Sequence, residues 1–151
     1  MNVIELENVS DIYRLVPTEG KILKPIKINE SEKSKKLVRV VTKTSINKET
    51  TQTGFHDGRS TLAEVKASVG DTCVMQIPDQ KILDIIKLEA GCQGLVVRGI
   101  NAGQIGKVES VEKGTFILPK RVILILGDKK IEIPADIIMP IGKEEPVIQL
   151  K

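Results

Sequence analysis

Two short segments carry the side chains best suited to chemistry, and in both that chemistry is the holding of an anion. The first is His56-Asp57-Gly58-Arg59. Asp-Gly is a strong turn dipeptide, so the four residues read as a tight hairpin tip. Such a tip presents Arg59 and His56 rigidly, as donors to a phosphate or a base edge. A guanidinium fork matches phosphate better than an ammonium does. Turn-making alone would also account for these residues, and the two roles are compatible. The second segment runs from Arg98 to Val108, RGINAGQIGKV, with Gly99, Gly103 and Gly106 between β-branched runs. Glycine takes positive φ without strain and admits close backbone approach. A strand that bends at glycines and restarts exposes amides, and those near Asn101-Ala102-Gly103 would form an anion-binding concavity. Asn101 tolerates left-handed geometry and carries an amide of its own. Arg98 and Lys107 flank the bend with positive charge. A purely architectural role, glycines closing a barrel corner, stays open beside it.

Other chemistries find no support. The single histidine, His56, has Asp57 and Ser60 close in sequence, but neighbouring chain positions point apart and do not build a nucleophile–base pair. No G-x-S-x-G elbow, phosphate loop or dinucleotide fingerprint occurs. One histidine and two distant cysteines, Cys73 and Cys92, cannot make a standard zinc site. We therefore expect no catalysis, metal, cofactor or small-molecule substrate. Without a CxxC pair, the cysteines read as reduced, buried thiols of a cytoplasmic protein. No apolar run of about 18 residues suggests a membrane span. The opening MNVIELENVSDIYR lacks the basic-then-apolar pattern of a signal peptide.

Charge is modest but uneven. The 151 residues carry a net +3. Residues 1–60 hold 11 basic against 8 acidic side chains, and the remainder balances at 12 of each. The surplus gathers around Lys33, Lys35, Lys36, Arg39 and Lys43. That cluster is either a solvated face or a patch that displaces counterions from RNA. Lys120-Arg121, after Pro119, is a further basic step that solvent would satisfy.

The elements that must position these groups are mainly β. A chain of this length buries about 68–70% of its unfolded surface. With one tyrosine, two phenylalanines and no tryptophan, its core must be aliphatic. LVRVVTKT at 37–44 is a strand by propensity. TCVMQI at 72–77 and KILDIIKL at 81–88 form a hairpin about Pro78-Asp79-Gln80. GLVVRG pairs with QIGKVESV around the glycine bend; TFILP and RVILILG follow as strands. Gly127-Asp128 then turns RVILIL into KKIEIP, where Ile131 and Ile133 alternate with polar residues, as a half-wetted strand requires. Two short helices are expected, at 31–36 with Ser31 as cap and at 60–67 with Ser60 as cap. A boundary is expected after Leu88, giving a central domain over 1–88 and a β-barrel with a short tail over 89–151. The last apolar residues either tuck against that barrel or fray.

The bend matches the KOW motif of ribosomal proteins and transcription elongation factors, which implies an SH3-like barrel. Taken together, the order of features resembles the e-type family of small-subunit ribosomal protein four, found in archaea and eukaryotes. The similarity runs from NVIELENVSDIYRLVPTEGKI, with Tyr13, Arg14, Leu15, Gly20 and Lys21, through His56-Asp57-Gly58-Arg59 and VGDTCVMQIPDQKILDIIK to the glycine bend. It extends collinearly from about Val3 to about Gln149. Family members usually begin with a basic segment and an S4-type RNA-binding domain, to which nothing here corresponds, so the sequence reads as a shortened form. After His-Asp-Gly-Arg the family often continues with an aromatic, proline-rich stretch, which STLAEVKASVGDT replaces. The resemblance implies a structural constituent of the small subunit, clamping folded rRNA by shape and phosphate contact, with neighbouring ribosomal proteins as further partners. The contacts expected from it are His56, Gly58, Arg59, Arg98, Gly99, Asn101, Gly103, Gly106 and Lys107, with Lys33, Lys35 and Lys36. A KOW-bearing transcription factor and a β-sheet protein-interaction module are the alternatives.

Overall fold

Branched runs with period-two burial become strands wherever a partner edge is available, and here they build three antiparallel sheets. The structure, a computed structural model, describes residues 1–47, 50–148 and 150. Strands β1 (Val3–Leu6), β2 (Val9–Pro17) and β3 (Leu23–Ile28) form a meander in that order. Strands β4 (Lys35–Ser45), β5 (Thr51–Phe55), β6 (Ser60–Thr61), β7 (Thr72–Gln76) and β8 (Lys81–Ile86) form a second sheet, ordered β6-β5-β4-β7-β8. Strands β9 (Gln93–Val96), β10 (Ile105–Glu112), β11 (Arg121–Leu126), β12 (Lys129–Pro134) and β13 (Ile138–Gly142) form the third, ordered β12-β11-β10-β9-β13. A 3-10 turn at Ala135–Ile137 leads into β13. That order, first strand between second and fifth, is compatible with an SH3-like barrel.

Strand β4 shows how the sheets are joined. Side chains alternate across a strand. Val38 and Val40 therefore face one core with Phe55, Val65, Ala67, Cys73 and Met75. Leu37 faces another, with Val16, Val74, Ile86, Leu95, Met139, Ile141, Ile148 and Leu150. This second core draws on all three sheets. Arg39 shares the Leu37 parity and donates from Nη1 to the carbonyls of Ala135, Asp136 and Ile138. A third core fills the β9–β13 unit around Leu88, Val96, Val108, Val122, Leu124 and Ile138. Ile148 and Leu150 are buried, so the last apolar residues tuck in; Gln149 lies outside the described residues.

Three expected elements do not form. Over 31–36 a 3-10 turn at Glu30–Glu32 gives way directly to β4. Six residues hardly repay helix nucleation, and Lys35 and Lys36 pair instead with Gln76 and Met75 of β7. Over 60–67, Ser60 and Thr61 pair with Gly54 and Thr53. The irregular chain beyond buries Val65 and Ala67 two residues apart while Leu62 is exposed. TFILP is no strand either. Glu112 of β10 already pairs with Arg121 of β11, so residues 113–120 are left as the connection between two strands paired to each other. Phe116 and Ile117 stand fully in solvent there. The hairpin after β7 turns through Ile77–Gln80, one residue more than expected.

Candidate nucleic-acid interface

His56–Arg59 closes the β5–β6 hairpin. Gly58 has φ +85° and donates its N–H to the Phe55 carbonyl at 3.1 Å; the Phe55 N–H donates to the Arg59 carbonyl at 2.9 Å. Asp57 stabilises the tip, its Oδ1 accepting the Arg59 N–H at 3.2 Å. Its Oδ2 accepts from Lys36 Nζ at 2.8 Å and lies 3.6 Å from Arg59 Nε. Burial pushes the Asp57 carboxyl up, but the Lys36 and Arg59 hydrogen bonds and charges outweigh it and hold it below its ordinary range.

His56 is expected as a donor, and one of its ring nitrogens is engaged instead as an acceptor. Its Nδ1 accepts the Arg39 N–H at 3.0 Å and its own N–H donates to the Arg39 carbonyl at 3.0 Å. An accepting Nδ1 assigns the ring proton to Nε2. Burial first, then the charges of the N-terminal ammonium, Lys36 and Arg39, lower its pKa to about 4 against the opposing charge of Asp57. At neutral pH the ring is uncharged, and only Nε2–H is left to donate. An unfolded histidine titrates near 6.5, so between about 6.5 and 4 the unfolded chain binds the extra proton. Stability is therefore complete above pH 6.5 and falls as pH drops toward 4. Melting temperatures at pH 7 and pH 5 test this. His56→Asn, whose carbonyl replaces Nδ1 as acceptor, is expected to lose less on acidification than the natural chain.

The glycine bend spans 97–104, between β9 and β10. Gly99 and Gly103 have φ +93° and +85°. Gly106 instead lies in β10 with ordinary φ, where an added Cβ would strike the Ile125 carbonyl and the Leu126 side chain. Two of the amides expected to form the concavity, those of Ala102 and Gly103, are taken by carbonyls of the bend and of β9. Gly103 N–H donates to Val96 O at 2.8 Å, Ala102 N–H to Gly99 O at 3.2 Å, and Gln104 N–H to Asn101 O at 3.2 Å. Asn101 is not left-handed; among the described residues only Gln80 is a non-glycine with positive φ. The bend therefore does not offer the Ala102 and Gly103 N–H groups to an anion, and its charged side chains are the stronger candidates.

Those side chains divide between separate places. Arg98 and His56 meet at a cavity of about 240 Å³, together with Arg39. Arg98 has no ion-pair or hydrogen-bond partner among the described residues. Burial pulls Arg39 below the ordinary guanidinium value; Asp136 opposes this and Arg98 adds to it, as two like charges in proximity must. Arg59 lies on a wider, open depression with Lys33, Lys36 and Asp57. Its Nη1 is enclosed there without a hydrogen-bond partner. Lys107 is exposed on β10, outward of the buried Val108, and lines neither hollow.

The model of Ribosomal family S4e matches residues 9–82. The small ribosomal subunit protein eS4 of Staphylothermus marinus is 37% identical over 162 residues, which cover 99% of this chain and 64% of that protein. Its counterpart in Methanothermobacter thermautotrophicus is 34% identical over 151 residues, covering 99% of this chain and 62% of that protein. The crystal structure of the 30S ribosomal protein S4e from Thermoplasma acidophilum superposes with a TM-score of 0.76 at 25% identity, covering 88% of this chain and 67% of that one. The chain belongs to the ribosomal S4e family. It spans about 64% of the length of the first of these relatives.

Within this S4e chain the basic cluster is largely consumed by the fold. Lys33 pairs with Glu5 at 2.7 Å and Lys36 with Asp57. Lys43 donates to the carbonyls of Val65 and Ala67 at 2.9 and 3.1 Å, anchoring the irregular segment to β4. Arg39 fastens the second sheet to the third. Only Lys35 keeps its side chain free of a partner among the described residues. Arg39 was missed as a site residue, yet its sequence signal was present: a lone charge in the centre of LVRVV cannot be solvated on both sides. Cys73 and Cys92 are free and buried. Burial pushes the Cys73 thiol up to about 11 and raises Cys92 as well, so neither is a nucleophile at neutral pH. Among the described residues no cluster of metal-ligand type occurs, and no helix is long and apolar enough to cross a membrane.

Proposed function

We propose that this chain is a structural constituent of the small subunit of the cytoplasmic ribosome and binds its rRNA. The observation that carries the reading is the meeting of Arg98, Arg39 and His56 at one cavity, although they come from widely separated segments. Arg98 is exposed and has no partner among the described residues, so its guanidinium is available to a phosphate where these segments meet. Arg59, whose Nη1 has no hydrogen-bond partner among the described residues, lies beside the ion-paired Lys33 and Lys36 on a second surface, so folded RNA would be gripped at two places by shape and phosphate. We propose the boundary at Leu88 as the division between the two sheet-building units, 1–88 and 89–151. The exposed Phe116 and Ile117 suit neighbouring ribosomal proteins as partners. The relatives that match are ribosomal proteins rather than enzymes or transcription factors.

Binding of the chain to small-subunit rRNA, with tRNA as competitor across a salt series, tests this. Arg98→Ala and Arg59→Ala are each expected to weaken binding about 10-fold, as loss of one charge-assisted contact should. Each should also make the log-affinity against log-salt slope shallower by about 1. Unchanged affinity in both variants, with normal melting, would reject both contacts. Specific binding absent from the natural chain would reject the RNA reading for this region.

A further inference from the structure

The cavity at the junction has more to it than a point of positive charge. Its walls are mostly apolar: Met1, with Leu15 and Pro17 from β2, Leu23 from β3, Val97 at the start of the bend and Met139 from β13. Its polar groups are few and convergent, namely Asn2, Arg39, His56 and Arg98. Free phosphate alone would leave most of this wall facing a desolvated anion, which is unfavourable. At about 240 Å³ the space falls just below the roughly 300–1,000 Å³ of drug-sized ligand sites. It suits one flat heterocycle. The bordering donors are all cationic or neutral, so a lysine or arginine side chain of a partner is repelled.

We propose that this cavity holds one unstacked nucleotide of single-stranded RNA, its base against Leu15, Val97 and Met139 and its phosphate on Arg98. The proposal rests on the rRNA-binding reading and specifies how one contact is made. Single-stranded RNA is read by splaying a base out, resting it on apolar or guanidinium surfaces and hydrogen-bonding its edge. Arg39, held in place by the carbonyls of Ala135, Asp136 and Ile138, supplies a fixed guanidinium surface. The His56 Nε2–H and the Asn2 amide are the groups available to read the base edge. The neutral state of His56 matters here, since a donor with no charge discriminates base edges without attracting every phosphate. A duplex cannot enter, because its bases are stacked inside.

The test follows the methyl resonances of Met139 and Val97 in the full chain. A short single-stranded RNA is added, then the same sequence as duplex, inorganic phosphate, and polyglutamate. Shifts with single-stranded RNA, and at least 10-fold weaker ones with the other three, are expected. Leu23→Trp fills the cavity from a half-exposed position and is expected to weaken single-strand binding at least 10-fold while leaving binding through Arg59 intact. Equal shifts with phosphate would overturn the nucleotide in favour of a bare anion. Equal shifts with polyglutamate would overturn it in favour of an acidic peptide. Still methyls in a chain that retains rRNA binding would overturn the pocket while the RNA reading stands; loss of rRNA binding altogether would overturn both.

Discussion

Gly103→Val is expected to lower stability by about 3 kcal/mol or more, bringing the melting temperature down by roughly 6–12 °C for a chain of this size. Two independent costs combine. Gly103 sits at φ +85°, where a β-branched residue is strained by roughly 1–3 kcal/mol. In addition, a Cβ there would lie 2.6 Å from the Pro17 carbonyl oxygen and 2.8 Å from the Thr18 Cα. Both are backbone atoms, so the first sheet and the bend would have to part. Gly99→Ala is the control. It shares a positive φ of +93°, but the nearest atom to its Cβ is the Ile137 side chain at 3.9 Å. Only the conformational cost remains, about 1–2 kcal/mol. Thermal melts of the two variants separate the terms, and a Gly103→Val protein that melts with the natural chain would refute the packing of the bend on β2. Pro17 also lines the junction cavity, so the same variant should bind single-stranded RNA poorly.

Arg14→Met is expected to cost about 3 kcal/mol, read as a lower urea midpoint at unchanged slope. Arg14 is fully buried. Its Nη1 donates to Glu32 Oε2 at 2.7 Å, and its Nη2 donates to the carbonyls of Glu32 at 3.1 Å and Lys35 at 3.2 Å. One side chain of β2 thus secures the turn that delivers the chain into β4. Methionine retains the bulk but strands a carboxylate and two carbonyls. Breaking a buried pair by removing one partner typically costs 3–5 kcal/mol, and the lower end applies because the Glu32 side chain keeps 20% exposure. Adding Glu32→Gln should recover part of the loss by removing the stranded charge. A single variant as stable as the natural chain would show that solvent satisfies this turn without Arg14.

Strands were legible wherever a β-branched run ended in a strong turn signal. TCVMQI, RVILIL and KKIEIP needed no tertiary information, because each has a pairing partner one turn away; LVRVV was legible from its β-branched composition alone, since it pairs chiefly with the distant Thr72–Val74 of β7. TFILP had the same composition and failed, since a strand exists only where an edge awaits it, and β10 and β11 had already found each other. The site was half legible. His56 and Arg98 could be named from turn chemistry and glycine spacing. Their meeting could not, since it depends on how β4 and β13 face each other across a core drawn from three sheets. The lysine cluster was misleading for a related reason. Charge counted along the chain says nothing of which ammonium reaches a carboxylate or a carbonyl, as Lys33, Lys36 and Lys43 do. The amides of Ala102 and Gly103 were likewise taken by the bend itself, a local hydrogen-bond choice that spacing does not reveal.

Val16, near the beginning of the chain, and Leu150, near its last residue, are buried in one cluster, and β9 needs β13 beside it. During synthesis, then, hairpins such as β7–β8 and β11–β12 form as they emerge. The core that unites the sheets stays open until residue 150 has cleared the exit tunnel. Sequence-distant contacts of this kind make folding slow. A nascent chain therefore exposes Val16, Leu37 and Val74 to its surroundings until Leu150 has joined them.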